Sequence, residues 1–222
     1  MTGFTSSPKL VKGGLVVLAP GGGPVRRTIA LQYNPDTLTR SYQVQGIGGD
    51  SGGERAQPFR LKGPAIESIK LEAEIDATDQ LEFPASNANA VAYGIAPQLA
   101  TLEALVNPSV DELLGVASQS AGGTLEIIPP EAPLVLFTWS KSRVVPVRVT
   151  DLSITEEAFD AALNPIRAKV SLGLRVMSTD DLGFTHKGGS MFISHLRARE
   201  ALAGKTGGAT LGSLGIEPRN GS

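Results

Sequence analysis

Residues of metal-binding type cluster once in the chain, at Asp180, Asp181, His186 and His195. Their spacing matches no closed zinc or calcium site, and Asp180-Asp181 reads as a turn. Ala203-Gly204-Lys205-Thr206 has the ending of a phosphate-binding loop, but the glycine that motif needs five residues earlier is Arg199. That stretch also follows a predicted helix, whereas a phosphate loop follows a strand. Gly21-Gly22-Gly23 before Arg26-Arg27 could cradle an anion. No helix follows to supply amide donors, so a plain glycine turn between two strands is the expectation. Glu156-Glu157 is a carboxylate pair only in sequence, because adjacent strand residues face opposite ways. No serine occupies a G-x-S-x-G elbow. The chain is therefore expected to be no enzyme, with no catalytic residue, no cofactor and no metal.

Composition agrees. The 222 residues hold no cysteine and two histidines, which removes disulfides, thiolate nucleophiles and zinc–cysteine sites. Twenty Lys and Arg stand against 22 Asp and Glu, a formal charge of −2. Nucleic-acid binding would need clustered cations, so no nucleic acid is expected as a partner. The longest early apolar run, Gly13 to Pro20, is far short of the roughly 20 residues of a spanning helix. Met1 to Pro8 is polar and turn-rich, unlike a signal peptide. A cytoplasmic protein without membrane contact is the expectation.

The elements that must position these residues are mostly strands. Ile69, Leu71, Ala73 and Ile75 alternate with Lys70, Glu72 and Glu74. Ile166, Ala168, Val170, Leu172, Leu174 and Val176 alternate with Arg167, Lys169, Ser171, Gly173 and Arg175. Each reads as a strand with one buried and one wet face. Weaker strands carry Ile29, Leu31 and Tyr33, then Leu38, Tyr42 and Val44, separated by the turn Asn34-Pro35-Asp36. Another pair spans Leu134–Trp139 and Val144–Thr155. In its second member the apolar phase switches from Val147 and Val149 to Leu152 and Ile154, which predicts a β-bulge at Thr150-Asp151. The fold class expected is mainly β with minor α: an antiparallel β-barrel, closed or nearly so, with flanking helices. An open two-layer sandwich is the alternative.

Helices are predicted at Pro97–Val106, after the capping box Ser109-Val110-Asp111-Glu112, and at Ser190–Ala203. The second carries an apolar stripe of Val110, Leu113, Leu114 and Ala117 and stops at Gly122-Gly123. The third turns Phe192, Ile193 and Leu196 inward, stops at Gly204, and leaves His195 exposed or interfacial. Gly46–Ala56 and Lys205–Ser222 read as loops. Residues 1–180 form one barrel domain with a helical insertion at about 77–128, and 181–222 a C-terminal helix and tail. The wet faces leave Glu72 and Glu74 on one strand and Arg167, Lys169 and Arg175 on another as a candidate interface or lumen-lining surface.

Two stretches carry a resemblance. One is Leu31-Gln32-Tyr33-Asn34-Pro35-Asp36-Thr37-Leu38, followed by Tyr42. The other runs from Pro129-Pro130 through Leu134–Trp139 and Pro146–Ile154 to Phe159 and Asn164-Pro165-Ile166-Arg167-Ala168. Together they resemble the tube and tube–baseplate adaptor proteins of contractile injection systems, which are phage-tail-like particles, over roughly residues 9 to 180. Tyr33 stands for the Phe of an F-N-P element. Trp139 closes the central strand. The last element is similar to F-D-x-x-G-x-P-L-R-A, with Asn164 taken at the glycine and Ile166 for Leu. The resemblance implies a barrel that assembles as a homo-hexameric ring around a channel. The ring initiates or caps the inner tube, with the inner tube protein, the spike and the baseplate as partners. Some relatives carry a C-terminal peptidoglycan-type module; the 18 residues after Gly204 are too few, so that activity is not expected here. The alternatives are a main inner-tube subunit of the same particle or, in another class, a monomeric barrel binding a small ligand or carbohydrate.

Overall fold

The structure is a computed structural model that describes residues 11–46, 60–121, 132–209 and 211–215. Seven strands are built from the alternating segments: β1 (Gly14–Leu18), β2 (Val25–Ala30), β3 (Leu38–Gln43), β4 (Ile66–Asp76), β5 (Val135–Ser140), β6 (Arg143–Phe159) and β7 (Pro165–Val176). They form one antiparallel sheet in the order β2-β1-β5-β6-β7-β4-β3. The expected bulge is present, with a register shift between Val149 and Asp151 opposite β7. The extra residue keeps Val147 and Val149 on the same side as Leu152 and Ile154, all packed on the core.

The inner faces of β1, β4, β5, β6 and β7 converge on one core through Leu15, Ile69, Leu71, Phe137, Val145, Ala168 and Val170. Ile29 of β2 and Leu38 of β3, from the two edge strands, pack against that same core. The sheet is thus curled around its own interior. Barrel closure by hydrogen bonding is not found: among the described residues no ladder joins β2 to β3. A side chain bridges the gap instead. The Gln32 amide donates to the Asp76 carbonyl at 2.7 Å and accepts from the Asp76 N–H at 3.0 Å.

Short helices α1 (Thr78–Leu81) and α2 (Ala88–Tyr93) lead into α3 (Ala96–Glu103) and α4 (Val110–Ala121). Ile95, Leu99 and Leu102 cap the core from this segment. Gly94 makes the join. Its φ of +56° with ψ of −129° is glycine territory, and a Cβ there would collide with the Pro165 carbonyl, which accepts from Ile95 N–H at 2.8 Å. The α4 capping box forms: Glu112 accepts from Ser109 N–H at 2.8 Å and its own N–H donates to Ser109 Oγ at 3.3 Å. Its apolar stripe is not buried, however, for Leu113 is 55% and Leu114 63% exposed. The stop expected at Gly122-Gly123 lies outside the described residues, as do 47–56 of the first expected loop and 210 and 216–222 of the tail.

After α5 (Thr179–Leu182), α6 runs over Lys187–Ala203, three residues longer at its start than the sequence pattern predicts. Gly188 and Gly189, just before the predicted start at Ser190, leave room for α6 to begin against α5. A Cβ on Gly189 would collide with the Gly183 carbonyl. Phe192 and Leu196 face the core and Ile193 is half-buried. The helix ends at Gly204, its C-cap, in ordinary right-handed geometry.

Candidate assembly surface

Two of the metal-type residues are spent on local structure. Asp181 accepts from Ser178 N–H at 2.9 Å and completes a capping box for α5, and it pairs with Arg175 at 2.7 Å. His186 caps α6 through Nδ1, accepting from Gly188 N–H at 3.0 Å. Among the described residues no His, Asp and Glu cluster could hold a metal. Gly21–Gly23 is a plain turn between β1 and β2, with the Gly22 carbonyl accepting from Lys187 Nζ at 2.7 Å. His195 corrects the expectation of an exposed histidine, for it is only 5% exposed.

The wet faces of β3, β4, β7 and β6 lie side by side. Antiparallel register sets Asp76 opposite Arg167, Glu74 opposite Lys169 and Glu72 opposite Ser171. On the other side of β7, Thr155 faces Lys169 and Arg148 faces Arg175. Candidates Glu72, Glu74, Arg167, Lys169 and Arg175 therefore share one surface within one sheet. Arg167 Nε donates to Asp76 at 2.7 Å, and Lys169 Nζ to Glu157 at 2.8 Å. The carboxylates hold the cations charged: Asp76 raises Arg167, and Glu157 raises Lys169. The Asp76 carboxyl sits below the usual aspartate range, first through the Thr78 hydroxyl and, after two smaller influences, through Arg167. The face carries Lys70, Arg148, Arg167, Lys169 and Arg175 against Glu72, Glu74, Asp76, Asp151 and Glu157. Five charges of each sign, with serine and threonine between them, make a wide wall without large apolar side chains.

The motif residues serve as joints. Asn34 accepts from Gly13 N–H and donates to the Val11 carbonyl, both at 2.9 Å, and so continues the edge of β1. Trp139 stacks on Phe137, centroids 5.8 Å apart, and lies so close to Gly13 that a Cβ there would be 2.7 Å from the indole. Tyr33 and Phe159 are half-exposed, Pro165 is buried and Ala168 is 0% exposed. Counted from Phe159, the glycine of F-D-x-x-G-x-P falls on Leu163 rather than on Asn164, and Leu163 is the left-handed residue of the turn, φ +64°. Asn164 instead donates to Asp160 through its backbone N–H and its amide, each at 2.8 Å, which holds the Asp160 carboxyl below its usual range. The two motif stretches meet at Asp76, whose backbone is held by Gln32 and whose carboxylate is held by Arg167. Asp76 escapes the sequence reading, although it is the next wet position after Glu72 and Glu74.

A second polar group lies on the inner side of the β3 end. Glu67 is in phase with Ile69, faces inward and is 4% exposed. It accepts from Tyr42 Oη at 2.7 Å and Arg199 Nη1 at 3.2 Å, with Arg40 Nη1 at 3.6 Å. A carboxylate in the apolar phase of a strand is the signal that marks such a group in sequence.

The curled sheet, its polar wall and residues that hold backbone rather than reacting atoms define a part that works through surfaces. The model of the contractile injection system tube protein family matches residues 20–184, and the chain belongs to that family of non-enzymatic structural proteins. A search of curated proteins found no match. Among solved structures, a chain from the tail of an empty GTA particle, computed with helical refinement in C6 symmetry, is 12% identical. The match covers 74% of this chain and 90% of that one, at a TM-score of 0.29, too low to argue from.

Proposed function

We propose that the chain is a ring subunit that initiates or caps the inner tube of a contractile injection particle and joins it to the baseplate and spike. On this reading six copies surround a channel, 1–180 form the ring body, 181–222 append a helix and tail, and the particle is assembled in the cytoplasm. The face of Glu72, Glu74, Arg167, Lys169 and Arg175 lines the lumen or a subunit boundary. The observation that carries the adaptor role is the helical segment between β4 and β5. Its helix α4 exposes Val110, Leu113 and Leu114, a surface a lone chain would bury and a repeating tube subunit does not need. The unladdered edges β2 and β3 support assembly as well, since exposed strand edges are a liability that neighbours relieve.

The alternative within the particle is the main tube subunit. Native mass across a concentration series, with negative-stain images, separates the two. An adaptor stops at a single ring layer, alone or on addition of spike and tube proteins. A main tube subunit polymerises into long tubes. A chain that stays monomeric at high concentration and in the presence of those partners overturns both.

A further inference from the structure

The inward group around Glu67 borders a cavity of about 200 Å³ lined by Arg40, Ser142, Arg143, His195, Arg199 and Leu202. Three guanidiniums surround it and one carboxylate answers them. Glu67 is already engaged by Tyr42, Arg199 and Arg40, and Arg199 and Arg40 also lie over the Tyr42 ring at 5.1 and 5.9 Å. Arg143 makes no hydrogen bond or ion pair among the described residues. Nearly as deep as Glu67 is His195, 5% exposed, whose Nδ1 is buried without a hydrogen-bond partner. A buried unpaired imidazole nitrogen beside an excess of two positive charges is costly in an empty site.

We infer that this pocket binds a small oxyanion, a phosphate, sulfate or carboxylate, received by the Arg143 fork, with the His195 imidazole in the wall beside it and Arg40 and Arg199 half-exposed at its mouth. Guanidinium forks match the planar or tetrahedral oxygen pairs of these ions, and the partly buried setting strengthens each contact. Arg143 is held below its usual range by burial and then by Arg40, and His195 below its own chiefly by burial. An anion relieves both. The Glu67 ion-pair group supplies the frame: it fixes Arg199 and Arg40 from behind and leaves Arg143 facing the cavity.

Because the chain has only two histidines, proton NMR of the full chain reads the site directly. Inorganic phosphate is titrated against chloride at constant ionic strength, with acetate as the carboxylate probe. The expected result is a saturable shift of the imidazole resonance that disappears in His195→Gln. The apparent Kd rises at least tenfold in Arg143→Gln and stays within twofold in Lys141→Gln, an exposed cation of the same turn. If thermal melts reveal that Arg143→Gln does not fold, Arg143→Lys keeps the charge, loses the fork and weakens binding several-fold. A protein dilution series without phosphate identifies the source. A His195 resonance that moves with protein concentration, reversed by phosphate, means that a carboxylate of a second copy fills the pocket. One that moves only with added phosphate means a free anion. A linear, unsaturable shift, or equal affinities in the Arg143 and Lys141 variants, overturns the inference.

Discussion

Replacing Gln32 by alanine removes the clasp that holds the curled sheet across its unladdered gap. Two hydrogen bonds to the Asp76 backbone disappear, at 2.7 and 3.0 Å. Each neutral bond of this kind contributes about 0.5–1.5 kcal/mol net. Because Asp76 is half-buried and water reaches it once the amide is gone, the lower half of the range for stranded buried groups applies, giving about 2 kcal/mol in all. For a chain of this size that corresponds to a fall in Tm of about 4–8 °C. Amide exchange is the sharper assay. The Asp76 N–H should exchange at least about tenfold faster in Gln32→Ala, the change that about 1.4 kcal/mol of lost protection produces. Gln32→Glu separates donor from acceptor: it still accepts from the Asp76 N–H but cannot donate to the carbonyl, so at neutral pH it should fare no better than alanine. A Tm within 1 °C of wild type, with Asp76 exchange unchanged, would refute the claim that a side chain stands in for a ladder here.

Gly94→Ala should cost about 3 kcal/mol, combining a left-handed conformation with overpacking on the Pro165 carbonyl, and a urea melt checks it. Ala168→Asp places a charge at a position 0% exposed in the core, and should leave no cooperative melt by circular dichroism. Lys169→Glu should keep the wild-type melt; if this face meets a neighbouring subunit, ring formation by native mass falls, and unchanged assembly assigns the face to solvent or lumen. Acid provides a further test. Asp76 and Asp160 titrate below the ordinary aspartate value of 3.8 in the folded chain. The stability they confer is complete above about pH 4 and is lost as the pH falls through their lower folded values. Melts at pH 5 and pH 3 should therefore differ more for wild type than for Asp160→Asn.

Much of the sheet is legible in sequence because period-two burial acts residue by residue. The β7 alternation, the β4 alternation and the bulge at Thr150-Asp151 are all set by which side chains leave water. The α4 capping box is legible for the same local reason, although its stripe meets no cover among the described residues. Other features need long-range geometry. Gly188 and Gly189 have their reason only once α5 lies beside them. Closure depends on where Gln32 falls relative to Asp76, 44 residues away. The left-handed turn residue is Leu163, where the element counted from Phe159 puts its glycine, and the hydrogen bonds from Asn164 to Asp160 hold the loop around it, with Leu163 79% exposed. The pocket is hidden most deeply, since Arg40, Arg143 and Arg199 come from three elements and share no spacing.

The balance of the polar wall has its own result. Opposite charges sit one or two strand spacings apart, about 5–10 Å, a distance comparable with the roughly 8 Å over which physiological salt screens a lone charge, so little net field extends beyond the face. On the proposed lumen-lining reading, a macroion sliding along such a surface would find neither a sink that traps it nor a barrier that repels it, and changing the ionic strength would alter its passage little. The wall is, in electrostatic terms, a lubricated one.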